Sequence, residues 1–576
     1  MPLIPRLLPL ALIAFLASGV DGEARPRRHP APVAAPVRPG PSAMVAAANP
    51  MAVDAGLKVL QAGGSAIDAA VAVQAVLGLV EPQSSGLGGG SFMTFYDAAT
   101  RQVTAYNGRE KAPMGATPDM FLDDTGKPLP RPVAMTSGRS AGVPGAIAML
   151  YLAQSQHGRL PWSSLFADAQ RLAQDGFPVP RRMAAAGQSN AAQAKTPDAT
   201  AYFTKTDGTR LQAGDIKTNP AYAATLQRLA AEGPKALLQG SIAQAIVDKL
   251  HEGPIPGTMT LADLAGYTPE AKPALCRPYR VYLVCVPGAP SGGPAVLEGL
   301  GLLERTDIPR HGPKDPQGWY LFAQASRLMY ADRDRYIGDP DFIEVPVEGL
   351  LEPAYLDRRV ALIGPAAGPA PSPGTPRGAG IRAPDRTREP GGTTHFVIVD
   401  KAGNVVSMTT TVESVFGDGR MVGGFFLNNQ LTDFSFEARD DDGAPAANAV
   451  GPGHRPRSSM APAIVLDRKG AFVAAVGSPG GPSIIAFNLK ALVALLDWKL
   501  PMQEALALPN LIAVGNFYAS EPAKFSPGIP EALAAKGMPL MGGPFGEGSG
   551  FHGVEATPQG LRGGADPRRE GVAKGY

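Results

Sequence analysis

The chain has 576 residues, 44% apolar and 18% charged, with a formal net charge of +2. That length supports a large core or several domains, and the absence of a dense basic stripe with interleaved aromatics excludes nucleic-acid binding as a working class. Gly (69) and Pro (59) are abundant but follow no fixed period, so the composition signals many turns, not a collagen or a disordered chain.

Arg6, the apolar run Leu7–Leu16 and the small, polar stretch Ala17–Ala24 read as an export signal over residues 1–24. A membrane anchor is the alternative, but the run is too short to span a bilayer comfortably, and no later apolar run is long enough either. Residues 25–43, rich in Pro, Arg and Ala, read as a disordered leader. Asn49-Pro50 caps a helix that carries Val53, Leu57 and Leu60 on one face and stops at Gly63-Gly64. Ser65, with Asp68 three residues on, opens a second helix through Leu79, rich enough in Ala and Val to be buried on most sides. The Gly-rich run Ser84–Ser91 precedes the strand Phe92–Tyr96. A dinucleotide loop follows its strand, so no cofactor loop is assigned. Gln102–Ala105 is another strand, and beyond it Arg109-Glu110 alone reads as surface.

Helices are expected from Gly142 to Gln156 and over Leu165–Gln174, Pro220–Glu232 and Ile242–His251. Cys276 and Cys285 flank an expected strand, Tyr279–Val284; export permits a disulfide, and two free buried thiols fit equally. Gln317–Ala331 is a long helix ending at Asp332-Arg333, whose charges read as structural ion pairs.

Ala361–Gly392, dense in Pro, Gly and Arg, reads as exposed, poorly structured chain. It feeds a hairpin whose strands, His395–Asp400 and Val405–Thr411, reverse at Lys401-Ala402-Gly403-Asn404. A cut before Thr393 would give that residue a free amine beside its own hydroxyl, a base next to a nucleophile. The alternative is an ordinary strand start after a long loop. An apolar strand, Val422–Leu427, comes next. Arg455-Pro456-Arg457-Ser458-Ser459-Met460 then leads to strands Ala463–Leu466 and Ala471–Val476, and Gly477-Ser478-Pro479-Gly480-Gly481 to an apolar helix, Ser483–Trp498. Hairpin-connected strands between helix-rich flanks predict antiparallel sheets covered by helices, not a doubly wound sheet.

Several of these stretches, in this order, resemble the gamma-glutamyltransferase family: Gly63–Tyr96, Arg109-Glu110, the loop Pro287–Pro294, Thr393-Thr394-His395, Leu427–Phe434, Gly480-Gly481 and Asp566-Pro567-Arg568-Arg569. That family resembles N-terminal-nucleophile hydrolases and cuts itself just before the Thr. The resemblance implies an α+β fold, a four-layer αββα sandwich with two central antiparallel sheets. A large subunit, 44–392 with a flexible end over 361–392, and a small catalytic subunit, 393–576, would build it jointly after a cut between Gly392 and Thr393. It implies Thr393 as nucleophile, Thr411 hydrogen-bonded to it, and Gly480 and Gly481 as an oxyanion hole. Arg109 and Ser458, with Ser459 beside them, would hold a substrate α-carboxylate; Gln430 and Asp433 would hold its α-ammonium. No metal or organic cofactor is implied. The implied partners are glutathione and other γ-glutamyl compounds, with water, amino acids or dipeptides as acceptors, in the periplasm or outside the cell.

One residue departs from the family pattern. Glu413 stands where the family usually has Asn; it can meet the ammonium but repels the carboxylate if misdirected. Ser435–His454 also looks shorter than the lid loop of many bacterial members. Both departures motivate a rival of the same fold, a cephalosporin or glutaryl acylase, against which Arg109, Gln430, Asp433 and Ser458 argue. An exported solute-binding protein is the distant rival; it would run as one full-length polypeptide on a denaturing gel.

Overall fold

The computed structural model describes residues 40–385, 387, 389, 391–542 and 548–576. The expected export signal and most of the leader lie outside the described residues. In chain order, the strands of the two central sheets are β1 (Met44–Ala47), β2 (Gly90–Asp97), β3 (Gln102–Gly108), β4 (Glu270–Pro273), β5 (Leu275–Tyr279), β6 (Tyr282–Val286), β7 (Gly392–Val399), β8 (Val405–Glu413), β9 (Ala463–Asp467), β10 (Phe472–Gly477), β11 (His552–Thr557), β12 (Gly560–Ala565) and β13 (Val572–Gly575). The first sheet has seven strands in the order β13-β1-β7-β8-β2-β3-β4, and the second has six, β12-β11-β10-β9-β6-β5. All neighbours are antiparallel.

Alternation along β7 shows how the layers stack, because successive side chains leave a strand on opposite faces. Val397 and Val399 meet Ile464, Leu466, Ala475 and Val554 of the second sheet. Phe396 and Ile398 point the other way, into a core with the helices Pro50–Gln61 and Ala66–Val80. The far face of the second sheet, through Val284, Val465 and Val476, packs on the helices Gly293–Glu304, Pro316–Tyr336 and Ile484–Leu496. This is the expected αββα sandwich. Both early helix caps form as read: Asn49 accepts from the Met51 amide at 2.9 Å, and Ser65 and Asp68 close a capping box. The Ala66–Val80 helix is buried on all sides.

Several expectations change. Gly40–Ala43 is not disordered leader: the Ser42 and Ala43 amides donate to the Tyr576 carbonyl at 2.9 and 3.2 Å, and Ala43 is buried. Between the cysteines lies a tight hairpin, not one strand. Arg280 takes a left-handed conformation (φ 56°) at its turn, and its amide is held by Glu304. The reversal sets Cys276 opposite Cys285, and the two are disulfide-bonded. Val422–Leu427 is likewise broken by Gly423-Gly424 (φ 55° and 82°) into the pair Met421–Val422 and Phe425–Phe426. The long helix runs on to Tyr336, since Asp332 does not stop it but turns inward to Arg359 (3.0 Å) and Tyr355 (2.8 Å). Over 361–391 no helix or strand forms among the described residues, yet Ala383, Asp385 and Glu389 are buried. No helix among the described residues is long and apolar enough to cross a membrane.

Candidate active site

The hairpin β7–β8 aligns Thr393 with Thr411. Their hydroxyls touch: Thr393 Oγ1 donates to Thr411 Oγ1 at 3.1 Å. Thr411 Oγ1 in turn donates to the Gly392 carbonyl at 2.9 Å and accepts from the Glu413 amide at 2.8 Å. Each Thr hydroxyl has one proton to give, so the protons run in one direction, from Thr393 through Thr411 to the oxygen of the peptide bond that precedes Thr393. The pairing shifts register between Thr411 and Glu413, a bulge that swings Glu413 opposite Gly392. Glu413 bears the strain of that bulge in a left-handed conformation, φ 83°. Gly89 passes so close to the Thr411 carbonyl that a Cβ would collide with it. The Gly-rich run therefore serves close packing behind the threonines. Arg569 Nη1 donates to the Thr393 carbonyl at 3.2 Å.

Arg109, Glu413, Gln430 and Asp433 come together in one buried network. The Gln430 amide nitrogen donates to Glu413 Oε2 at 2.7 Å and to Asp433 Oδ2 at 2.6 Å. Arg109 Nη2 holds the same Asp433 oxygen at 2.7 Å. Arg109 is 1% exposed and is further fixed by the carbonyls of Pro456 (3.0 Å) and Arg457 (2.7 Å). Thus the two residues expected at opposite ends of a substrate zwitterion are salt-bridged to each other in this chain. Glu110 sits 3.7 Å from Arg109. One guanidinium thereby faces two carboxyls, with Glu413 a third acid held through Gln430. Burial, only partly offset by Arg109, pushes Glu110 up to about 8. Burial, and then Asp433 beside it, raises Glu413 well above the carboxylate range. Asp433 is raised by burial against the pull of Arg109. Five oxygens of the network, Glu110 Oε1 and Oε2, Glu413 Oε1, Gln430 Oε1 and Asp433 Oδ1, are buried with no hydrogen-bond partner. Such unpaired oxygens fit a cationic guest.

Ser458 and Ser459 diverge. Ser458 Oγ accepts from the Met460 amide at 3.1 Å. Ser459 Oγ donates to Glu389 Oε2 at 2.5 Å and accepts from Arg333 Nη2 at 2.6 Å. Gly480 and Gly481 take φ 138° and 56°, and a Cβ on Gly480 would strike Phe487. Glycine is required at this turn. It leaves β10 at Gly477, which makes room for the His395 ring on β7, and enters the Ile484–Leu496 helix through a short 3-10 turn. Sequence reading missed the roles of Glu110, Arg333, Glu389, Arg457 and Arg569. Glu110 and Arg569 carried a signal, their places in the Arg109-Glu110 and Asp566–Arg569 motifs.

The family model for Gamma-glutamyltranspeptidase matches residues 52–576. The glutathione hydrolase proenzyme of Bacillus subtilis (strain 168) is 35% identical over 519 residues, covering 88% of this chain and 86% of that protein. Among solved structures, the cephalosporin acylase from Bacillus halodurans superposes with a TM-score of 0.81 at 26% identity, over 96% of this chain and 99% of that one. A chain of the Helicobacter pylori gamma-glutamyltranspeptidase gives a TM-score of 0.53 at 33% identity, over 55% of this chain and 90% of that one.

Proposed function

The chain belongs to the gamma-glutamyltranspeptidase family, which makes it an autoprocessing γ-glutamyl hydrolase/transferase, and we propose that Thr393 is both the residue before which it cuts itself and its nucleophile. The observation that carries this reading is the directed pair of hydroxyl bonds from Thr393 through Thr411 to the Gly392 carbonyl. Thr393 Oγ1 attacks the Gly392 carbonyl carbon, its proton passes toward Thr411, and the developing oxyanion takes the Thr411 hydrogen bond. The Gly392–Thr393 C–N bond breaks as the Gly392 ester to Thr393 Oγ1 forms, and the released nitrogen is protonated to an amine. Water then hydrolyses the ester. A large chain ending in the Gly392 carboxylate and a small chain beginning at Thr393 result.

In the cut enzyme the Thr393 amine is the base for its own hydroxyl. The hydroxyl attacks the γ-carbonyl of glutathione or a related donor, the amine fragment leaves with the proton, and a γ-glutamyl ester remains. Water or an amino acid or peptide amine completes the turnover, with hydrolysis the main outcome. Gly480 and Gly481 offer their amides to the oxyanion. Gln430, Asp433 and Glu413 receive the donor ammonium, for which their unpaired oxygens are suited. Arg109 and Ser458, with Ser459, take the α-carboxylate. Export places the enzyme in the periplasm or outside the cell.

Purified protein should show two chains on a denaturing gel, the smaller beginning Thr-Thr-His, and Thr393→Ala should remain one inactive chain. A fully active preparation of intact chain would sink the proposal. A second reading, an acylase of the same fold, is favoured by Glu413 and by the likeness to the cephalosporin acylase. Mature protein offered γ-glutamyl, glutaryl and cephalosporin donors side by side decides between them, with preferred glutaryl turnover promoting the acylase.

A further inference from the structure

Four residues before the proposed new N-terminus, Glu389 points inward and is buried. Its carboxylate is gripped on both oxygens. Arg333 Nη2 donates to Oε1 at 2.5 Å, Arg457 Nη2 reaches the same oxygen at 3.4 Å, and Ser459 Oγ donates to Oε2 at 2.5 Å. Burial works against this charge, but the two guanidiniums and the Ser459 hydroxyl outweigh it and hold Glu389 down to about 2. A second acid of the same segment, Asp385, lies 3.1 Å from Arg457 Nη2. The segment is fastened across the site by a bridge from Ala383 to Ala446 and by the Asn448 amide nitrogen, which donates to Asp385 Oδ2 at 3.1 Å.

Two features show that this is more than a structural ion pair. The first is the charge count. Outside the segment, the only acid paired with these arginines among the described residues is Asp334, 2.9 Å from Arg333 and 3.8 Å from Arg457. Withdrawing Asp385 and Glu389 leaves two buried guanidiniums against one carboxylate, and an unmatched buried charge is strongly unfavourable. The second is a surplus of donors. Arg333 Nε, Arg457 Nε and Arg457 Nη1 are buried with no hydrogen-bond partner, although each arginine is at most 2% exposed. The Glu389 carboxylate therefore underfills the site. Its position adjoins the clamp: the Arg457 carbonyl accepts from Arg109 Nη2, and Ser459 follows Ser458 in the chain.

We infer that Arg333, Arg457 and Ser459 form a carboxylate-binding site that Glu389 fills only until self-cleavage, and that afterwards takes a carboxylate brought by the substrates. This rests on the proposed cut before Thr393, which turns residues 383–392 into a free chain end able to withdraw. The ligand class is a small amino-acid or peptide carboxylate. It comes either from the α-carboxylate of a γ-glutamyl donor or from the C-terminal carboxylate of a peptide acceptor or leaving group. Arg suits either, since its planar fork meets both oxygens of a carboxylate.

The test uses mature protein carrying Arg457→Gln, with Arg457→Lys as the charge-retaining variant. KM is measured for a γ-glutamyl anilide and its α-amide as donors, and for glycylglycine and glycylglycinamide as acceptors. A rise of about tenfold or more for the acid but not its amide is expected in one series, which names the source, and Lys should recover part of it. Equal effects on acid and amide in both series, or none, overturn the site. Calorimetry with glutarate separates this from failure of the enzymatic reading. Mature wild type should bind it and Arg457→Gln should not, whether or not γ-glutamyl donors are turned over. In the uncut Thr393→Ala chain glutarate binding should be lost, and adding Glu389→Ala should restore it. Glutarate binding indifferent to Glu389 and Arg457 refutes the inference.

Discussion

Thr411→Val perturbs the threonine pair most cleanly, because it keeps volume and β-branching and deletes one hydroxyl. That oxygen serves three neighbours: it accepts from the Glu413 amide (2.8 Å) and from Thr393 Oγ1 (3.1 Å) and donates to the Gly392 carbonyl (2.9 Å). Thr393 and Glu413 are 3% and 5% exposed, so water does not replace what is lost. Stranding the Glu413 N–H costs about 1–3 kcal/mol of folding stability. That is affordable against a typical native stability of about 5–15 kcal/mol. Losing a donor aimed at a developing oxyanion costs a rate factor of roughly 100 to 1000, about 3–4 kcal/mol. The variant should therefore fold, unfold at a moderately lower denaturant midpoint, and cut itself roughly 100 to 1000 times more slowly. Freshly purified precursor followed on denaturing gels gives the cleavage rate, and urea unfolding gives the stability. Thr411→Ser, which keeps the hydroxyl, should cut near the wild-type rate. A Val variant that folds and cuts at the wild-type rate would refute the relay.

The remaining predictions concern the buried clamp. Glu413→Asn should raise the unfolding midpoint and keep self-cleavage, since Asn tolerates φ 83° better than Glu and removes one of three crowded acids. It should also lower KM for donors with a free α-carboxylate. Loss of cleavage would show that Glu413 belongs to the cutting machinery. Arg109→Ala strands Asp433 and Glu110 in a site closed to water; about 3–5 kcal/mol of stability should go, read from urea unfolding, with donor binding weakened in steady-state kinetics. Glu110 supplies a pH test. Its folded value, about 8, lies above its ordinary 4.5. The folded state therefore keeps a proton that the unfolded chain has released, and stability falls as pH rises from about 4.5 to about 8. Glu110→Gln should flatten that slope, so its thermal midpoint should gain on wild type at pH 8 relative to pH 5. Parallel midpoints at the two pH values would remove Glu110 from the account.

What was legible in the sequence is what local chemistry dictates. The caps at Asn49 and Ser65, the β7–β8 reversal at Gly403 and the alternation that sends Val397 and Phe396 to opposite layers each depend on a few neighbouring residues. The hairpins at Arg280 and at Gly423-Gly424 were missed for opposite reasons. The first turns on a non-glycine residue held left-handed by a distant Glu304. The second hid its glycines inside an apolar run. At the site, Thr393 and Thr411 were recoverable because a strand pair brings them together. Arg333, Arg457 and Glu389 were not, for their meeting depends on a helix, a loop and the end of a Pro-rich segment that are far apart in the chain. Reading Ala361–Gly392 as exposed followed its composition, which carries no trace of the buried ion pairs at Asp385 and Glu389.

The order of strands has a consequence for how the pieces of a cut molecule stay together. In the first sheet β13, β7 and β8 come from beyond Thr393, or at it, while β1, β2, β3 and β4 come from before it. They interleave, so the ladders β13–β1, β1–β7 and β8–β2 each join one product chain to the other, as does β9–β6 in the second sheet. A break at Gly392 would therefore release no separable subunit: no plane through the molecule parts the two chains without unzipping the middle of both sheets. Parting them amounts to unfolding, and the nicked protein would hold together on dilution like a single polypeptide.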